Sequence, residues 1–316
     1  MGYSPLVSII IPTYRREKDI IKAVKSAINQ TYKNKEIIVV DDNVIEAGEI
    51  NKTEEALKEY IESNKIRYIK NDGIRGGSGS RNKGISIANG EFIAFLDDDD
   101  EYFPQKIQEQ YNYYLKNKHR KIGLVYCYAL GVNRNKEVIS KYHNDIEGES
   151  LYESMIGCIA GTSLWFAPKD VLLEVGGFVD TVSKQDTMTI IKILSKGYEI
   201  IRVPKELVYY YEYEGNKISG VGSRAIEGQE NVRRYSRKLY HLLNDNEKVR
   251  SVEYTFSKKL LTLYLINKNR KKARSEFKNM FKLQPINIST IKAGCKYLLT
   301  PLYNAFLKIN RYHRFN

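Results

Sequence analysis

Gly90-Glu-Phe-Ile-Ala-Phe-Leu-Asp-Asp-Asp-Asp-Glu-Tyr-Phe-Pro104 is the stretch around which the chain is organised. Phe92 to Leu96 is an apolar run of strand length, the pattern of a strand buried on both faces. Asp97 to Asp100 and Glu101 follow at once. Adjacent acidic side chains repel, and the end of a buried strand gives them little room to splay, so the run needs something cationic among it. A hard divalent cation with oxygen ligands, Mg2+ or Mn2+, is the simplest neutraliser and often arrives with a phosphate-bearing substrate. The competing reading is a solvated acidic turn, as most charge runs are. The abutting core strand favours the metal.

Upstream, Val7-Ser-Ile-Ile-Ile-Pro12 reads as a buried first strand, and Asp19 as the N-cap of a helix in which Ile20, Ile21, Val24, Ala27 and Ile28 recur at helical spacing. Glu36 to Asp42 is a second buried strand ending in two carboxylates, and Ile66 to Lys70 a third after a helix over about 50–63. The loop Asn71 to Asn82, rich in glycine, leads to a short helix and then to the Phe92 strand. Strand and helix alternate, which predicts βαβ units, a parallel sheet and a doubly wound α/β fold. In such sheets ligands bind beyond the carboxyl ends of the strands. Thr13, Asp42, the glycine loop and the aspartates all fall on that edge.

The glycine loop is neither a P-loop nor a dinucleotide fingerprint: Gly84 is followed by Ile85, and Arg81-Asn82 stand where a third glycine belongs. Arg81, read as lying near a helix start, offers a guanidinium beside free amides for a phosphate. Tyr102 at the sixth position of the acidic run excludes an EF-hand. Further on, Gly123–Ala129 and Glu137–Lys141 read as a hairpin, Gly161–Pro168 as a strand, and Gln185-Asp186 as a helix start where spacing alone makes Asp186 a cap. Tyr209 to Tyr213 reads as an edge strand or as a sugar-stacking surface.

Composition bounds the rest. The 316 residues, 42% hydrophobic and 28% charged, describe an ordinary globular chain of one large or two moderate domains. No apolar run approaches the roughly 18 residues of a membrane-spanning helix, and the N-terminus lacks a signal-peptide pattern. Three scattered cysteines suggest neither a disulfide framework nor a zinc site, and place the chain in reducing cytoplasm. Four scattered histidines supply no triad. The net charge of +13 is unevenly spread: residues 231–316 carry 20 Lys+Arg against 4 Asp+Glu, which leaves 31 against 34 for the remainder. A basic tail on a near-neutral body implies an anionic partner.

Six motifs in order carry a resemblance: Val7 to Tyr14, Ile37 to Asp42, Gly76-Gly77 with Ser80 to Gly84, Phe95 to Asp100 with Pro104, Gly176-Gly-Phe178, and Gln185-Asp186. Together they resemble the family 2 glycosyltransferases over about residues 5–212. The resemblance implies a GT-A fold, a doubly wound mixed α/β sheet, and inverting, metal-dependent sugar transfer from a nucleotide donor, most often a UDP-sugar, with Mn2+ or Mg2+. The catalytic domain is expected over 1–224, with a nucleotide half (1–104) and an acceptor half (105–224), before a basic helical region over 225–316. Residue by residue, the resemblance puts Thr13 and Tyr14 beside the nucleoside, Asp42 on the uracil imide, and Arg81 near the diphosphate. It puts Asp97 and Asp98 on the ribose and metal edge, with Asp99 as principal metal ligand and Asp97 assisting. Asp186 becomes the catalytic base, against the cap that spacing alone prefers. Two departures stand out: Gln185 replaces the usual Glu of a Glu-Asp pair, and Asn43-Val44-Ile45 replaces a Gly-Ser-Thr turn.

From about Ala225 the pattern turns helical, basic and amphipathic, including a segment over 291–309 interrupted by Pro301. Such helices lie on an anionic bilayer surface or pack on the catalytic domain with a solvated basic face. No recognisable module argues for nucleic acid. A surface-polysaccharide transferase would take a lipid-diphosphate-linked saccharide acceptor, and a peripheral location at the membrane's inner face follows. The alternatives are a nucleotide-sugar pyrophosphorylase and a non-enzymatic polyanion-binding protein. The first wants a Gly-x-Gly-x-Arg loop where Pro12 to Arg16 stand, and the second has no use for Asp97, Asp98, Asp99 and Asp186.

Overall fold

With Val7, Ile9, Ile10 and Ile11 pointing to both faces, Val7–Thr13 has no face to give to water and lies buried along its whole length with strands on both sides. The computed structural model describes residues 4–44, 50–73, 76–212, 220–285, 287–295 and 297. Its first elements alternate as expected: β1 (Val7–Thr13), α1 (Ile20–Ile28), β2 (Lys35–Asp41), α2 (Lys52–Glu62), β3 (Arg67–Lys70), α3 (Gly76–Ile87) and β4 (Phe92–Phe95). The alternation then breaks. β5 (Glu101–Tyr102), α4 (Lys106–Lys116), β6 (Ile122–Val132), β7 (Val138–Tyr142) and α5 (Leu151–Ile156) are followed by a 3-10 turn at Thr162–Leu164. β8 (Phe166–Pro168), α6 (Lys169–Glu174), α7 (Gln185–Ser195) and β9 (Glu199–Tyr211) complete this part.

The sheet runs β3-β2-β1-β4-β8-β6-β9-β5, with β7 on β6 as the far arm of the expected hairpin. β1 to β4 are mutually parallel, while β8 opposes both β4 and β6. The sheet is therefore mixed, with a core of Ile9, Ile10, Ile11, Ile38, Val39, Phe95 and Trp165. Strand order reverses between β1 and β4, a switch point of the kind at whose carboxyl ends ligands bind. That switch point positions the site.

Several local expectations are corrected. Gly161–Pro168 is a strand only in its second half, because Thr162 and Ser163 turn their hydroxyls to carboxylates of the acidic run. Tyr209 to Tyr211 is no edge: β9 lies between β6 and β5, and Tyr213 falls outside the described residues. The three rings are packed on Phe103, Tyr142 and Lys22 respectively. Asp19 occupies the N-cap position of α1 with helical backbone and makes no capping hydrogen bond. It sits instead within ion-pair range of Arg16 and Lys22.

By internal contacts the chain forms two units, Met1–Thr181 with Gln185–Lys217, and Val182–Lys184 with Ile218–Asn316. The second is helical: α8 (Ser223–Lys238), α9 (Asn246–Ile266) and α10 (Arg270–Leu283). Asp245 starts α9 by accepting from the amides of Glu247 and Lys248. A small core of Leu260, Leu261, Tyr264, Ala273 and Met280 joins α9 to α10. Buried Arg233 is clasped between Glu253 (2.6 Å) and Glu276 (2.9 Å). Burial would push the Glu253 carboxyl up, but hydrogen bonds from Arg237, Arg233 and Tyr240 outweigh it and hold the group at about 2. Among the described residues no helix is long and apolar enough to cross a membrane. Most of the predicted 291–309 segment, Pro301 included, lies outside the described residues.

Candidate donor and catalytic site

At the end of β1 the Thr13 hydroxyl donates to Asp98 Oδ2 at 2.8 Å, and the Tyr14 amide reaches the same oxygen at 3.3 Å. Two strand ends far apart in sequence are thus pinned at the sheet's switch point. Arg16 enters from the β1 loop, its Nη1 3.0 Å from Asp99 and its Nε 3.6 Å from Asp98. Asp97 is held by Arg81 Nη2 at 2.5 Å and by the Thr162 hydroxyl. Asp100 turns inward, where Ser163 Oγ donates to it at 2.6 Å.

The aspartates therefore divide by surroundings. Burial, then Asp99, pushes the Asp98 carboxyl up to about 7. Burial and Asp97 raise Asp99, and burial with Asp99 and Asp97 raises the enclosed Asp100 well above its ordinary range. In each case the causes are lost hydration and unneutralised like charge.

Arg81 is 7% exposed and reaches the site from α3. Here the structure corrects the sequence reading: α3 begins at Gly76 inside the glycine-rich segment, so Arg81 lies a turn and a half into the helix. Gly77 lies against its guanidinium, and a Cβ there would be 2.8 Å from Arg81 Nη1 and would displace it. Arg81 Nη1 also donates to Gln185 Oε1 at 3.3 Å, and its guanidinium stands 5.5 Å from the Phe178 ring centroid. That ring is fixed by a left-handed turn at Gly176 and Gly177, conformations glycine adopts without strain. Asn82 locks the turn by accepting from the Phe178 amide and donating to its carbonyl, both at 2.8 Å. Asp42, buried beside Thr13, accepts from the Gly76 amide and from Asn71 Nδ2, both at 2.7 Å, and so organises the start of α3.

Asp186 is the second residue of α7, inside the helix's first turn. Its Oδ1 accepts from the Thr187 amide at 2.6 Å, and its Oδ2 lies 3.3 Å from the exposed Cys158 thiol. Through Gln185, Arg81 ties the head of α7 to the aspartate cluster.

The oxygen-only donor set fits a hard divalent cation. Asp99 and Asp97 are partly exposed, with side-chain exposures of 27% and 35%, and Asp98 and Asp99 stay raised although Arg16 stands beside both. Among the described residues no three acidic, histidine or cysteine side chains form a ready-made cage. Mg2+ and its analogues commonly take one or two carboxylates and complete their shell with water and substrate phosphate.

The structure thus gathers Thr13, Tyr14, Asp97, Asp98, Asp99 and Arg81 at one sheet edge. Asp42 adjoins Thr13, whose carbonyl accepts from the Asp42 amide, and Asp186 is tied in through Gln185. Sequence reasoning assigned no part to Arg16, Thr162, Ser163 or Cys158. Arg16 was legible as a cation just past β1; the hydroxyls were hidden in a segment that reads as a strand.

Residues 8–167 match the model of glycosyl transferase family 2. Over 132 residues the chain is 35% identical to the putative colanic acid biosynthesis glycosyl transferase WcaA of Escherichia coli K12, covering 41% of this chain and 43% of that one. It is 34% identical over 137 residues to the E. coli UDP-Glc:alpha-D-GlcNAc-diphosphoundecaprenol beta-1,3-glucosyltransferase WfgD, covering 43% and 50%. These matches span half or less of the relatives' own length. In structure the chain resembles S. aureus TarS 1–349, crystallised with UDP-GlcNAc (TM-score 0.59, 18% identity, 93% of this chain and 81% of that one). It also resembles the mannosyltransferase PcManGT of Pyrobaculum calidifontis in complex with GDP-Man and Mn2+ (TM-score 0.57, 18% identity, 94% and 88%). At such identity the likeness establishes the GT-A fold. With half the chain matched by the family model, motif order and fold agree: the chain belongs to glycosyl transferase family 2.

Proposed function

We propose that this chain is an inverting glycosyltransferase that moves a hexosyl or N-acetylhexosaminyl group from a UDP-sugar to a saccharide acceptor in cell-surface polysaccharide synthesis. The observation that carries the reading is the switch point where the end of β1, its loop and α3 bring Thr13, Arg16 and Arg81 onto Asp97, Asp98 and Asp99. Carboxylates and guanidinium groups interleaved at a switch point suit a diphosphate with its cation. The names of WcaA and WfgD support the pathway class and a lipid-diphosphate-linked acceptor, which would place the reaction at a membrane's inner face.

Tyr14, 51% exposed, offers its ring to the nucleobase. Asp42, which also holds the Gly76 amide and Asn71, accepts from the uracil imide. Asp97 and Asp98 face the ribose edge, and Asp99 with Asp97 would hold Mn2+ or Mg2+. The cation supplies charge neutralisation at the diphosphate as the leaving group gains charge. Arg81 contributes fixed positive charge beneath that leaving group.

Asp186 takes the proton from the acceptor hydroxyl. That oxygen forms its bond to the anomeric carbon as the bond to the diphosphate breaks from the opposite side, and the electron pair leaves with UDP. One displacement inverts the configuration, by the geometry that separates inverting from retaining sugar transfer to water.

The test is a screen of UDP-, GDP- and dTDP-sugars for binding and Mn2+-dependent hydrolysis, with Asp99→Ala as control. A UDP-sugar is expected to bind and to lose affinity in the control; no binding of any donor, with or without metal, overturns the proposal. Asp186→Asn is expected to keep donor affinity and lower turnover by about 100-fold or more. Unchanged turnover would remove Asp186 as base.

A further inference from the structure

The helical unit carries all of the chain's excess positive charge, and its helices use that charge in two ways. Arg233 and Arg237 are tied to Glu253, and Lys272 to Glu230. Along the outer face of α10, Lys271, Arg274, Lys278 and Lys282 recur at helical spacing, exposed and with no carboxylate within ion-pair distance among the described residues. Glu276, the one acidic residue from 270 to 292, turns inward to Arg233. Ala273 and Met280 occupy the opposite face, against α9.

Large apolar groups share this outer surface. Phe281 is 55% exposed at the end of α10. In the helical turns that follow, Thr290, Ala293 and Tyr297 pack inward, leaving Ile288 at 72% and Ile291 at 59% exposure beside exposed Lys292. Solvated basic helices have no use for three such side chains in water.

We propose that the outer faces of α10 and of the turns from 288 to 295 form a docking surface for an anionic lipid bilayer. Lys271, Arg274, Lys278 and Lys282 meet headgroup phosphates, and Phe281, Ile288 and Ile291 enter the boundary between headgroups and acyl chains. Charge complementarity alone would equally suit a nucleic acid or another soluble polyanion. The apolar side chains decide for the bilayer, because a phosphate backbone offers them no burial. The surface extends the proposed membrane-borne acceptor, yet its argument and its test make no use of the donor site.

The experiment is flotation of the full chain with phosphatidylcholine vesicles, alone or with about one-third phosphatidylglycerol. Binding is expected only with the anionic lipid and is expected to weaken with salt. The double variant Lys278→Glu/Lys282→Glu should lower partitioning about tenfold or more. Phe281→Ser/Ile288→Ser/Ile291→Ser should also lower it while keeping the salt dependence. Equal binding to both vesicle types, undiminished binding by the charge-reversed chain, or a triple variant that binds vesicles as the parent does would each overturn the proposal. Retention on heparin with no vesicle binding would overturn it in favour of a soluble polyanion. Donor binding, measured in solution on the same samples, is expected to be unaffected by both variants. Its absence from every sample would sink the transferase reading and leave the lipid surface standing.

Discussion

The contact between Cys158 and Asp186 gives the site a chemical handle. The thiol is exposed and lies 3.3 Å from the carboxylate proposed as base, so a group added to the sulfur would occupy the approach to Asp186. Alkylation with iodoacetamide is therefore expected to abolish transferase turnover, and Cys158→Ser to remain active and resist the reagent. Inactivation of the serine variant at the parent rate would place the sensitive group elsewhere. The other cysteines supply internal controls. Cys127 is enclosed, with burial pushing its thiol up to about 12, and should remain unmodified in the folded chain. Cys295 is exposed on the helical unit and should react in both proteins without consequence for turnover. Mass spectrometry of the labelled peptides assigns each event.

Among the elements, α3 matters most to the site because it delivers Arg81 and takes its start from Asp42. Its seat on the sheet depends on Gly84, where a Cβ would lie 2.4 Å from Cγ2 of the fully buried Ile10. Two effects oppose each other in Gly84→Ala. Alanine gains roughly 1 kcal/mol of helix propensity, whereas forcing a methyl into a filled core costs about 1–3 kcal/mol. Ile10 lies on β1 between two paired strands and has nowhere to retreat, so the clash should win. Net destabilisation of about 1 kcal/mol, and at most about 2 kcal/mol, is expected by urea denaturation, with weaker donor binding as Arg81 shifts. A variant as stable as the parent would show that the helix can lift without cost.

At the scale of the whole molecule, Lys106 links folding to pH. It is fully buried, donates to the Trp165 carbonyl at 3.1 Å and stands over the Tyr102 ring, and burial lowers its pKa to about 7. The unfolded chain keeps that proton up to the ordinary lysine value near 10.5. Between these values the unfolded state binds more protons, so this group's contribution to stability rises with pH and is lost as pH falls towards 7. The slope is at most about 1.4 kcal/mol per pH unit. Thermal unfolding from about pH 7.5 to 9.5 should therefore show a parent chain that gains on Lys106→Met as pH rises. Parallel curves for the two proteins would mean that Lys106 is charged in the folded state.

Much of this molecule was written locally. The apolar runs of β1, β2 and β4, each ending in polar or acidic residues, predict a parallel sheet and the edge on which its ligands bind, because strand burial and the rule for strand ends depend on nearby residues alone. The motif order from Val7 to Asp186 carried the family. What neighbours in sequence could not decide is how the carboxylates share their surroundings. Asp97 faces Arg81, Asp98 faces Thr13, Asp99 faces Arg16 and Asp100 faces Ser163, partners between 16 and 85 positions away. The same limit hid the 3-10 turn at Thr162 and the interior place of β9, since a hydroxyl's partner and a strand's neighbours are long-range facts. Sequence by itself determined the architecture and the chemistry of the run of aspartates. Tertiary structure alone assigned each aspartate its partner, because desolvation and Coulomb interaction act through space and not along the chain.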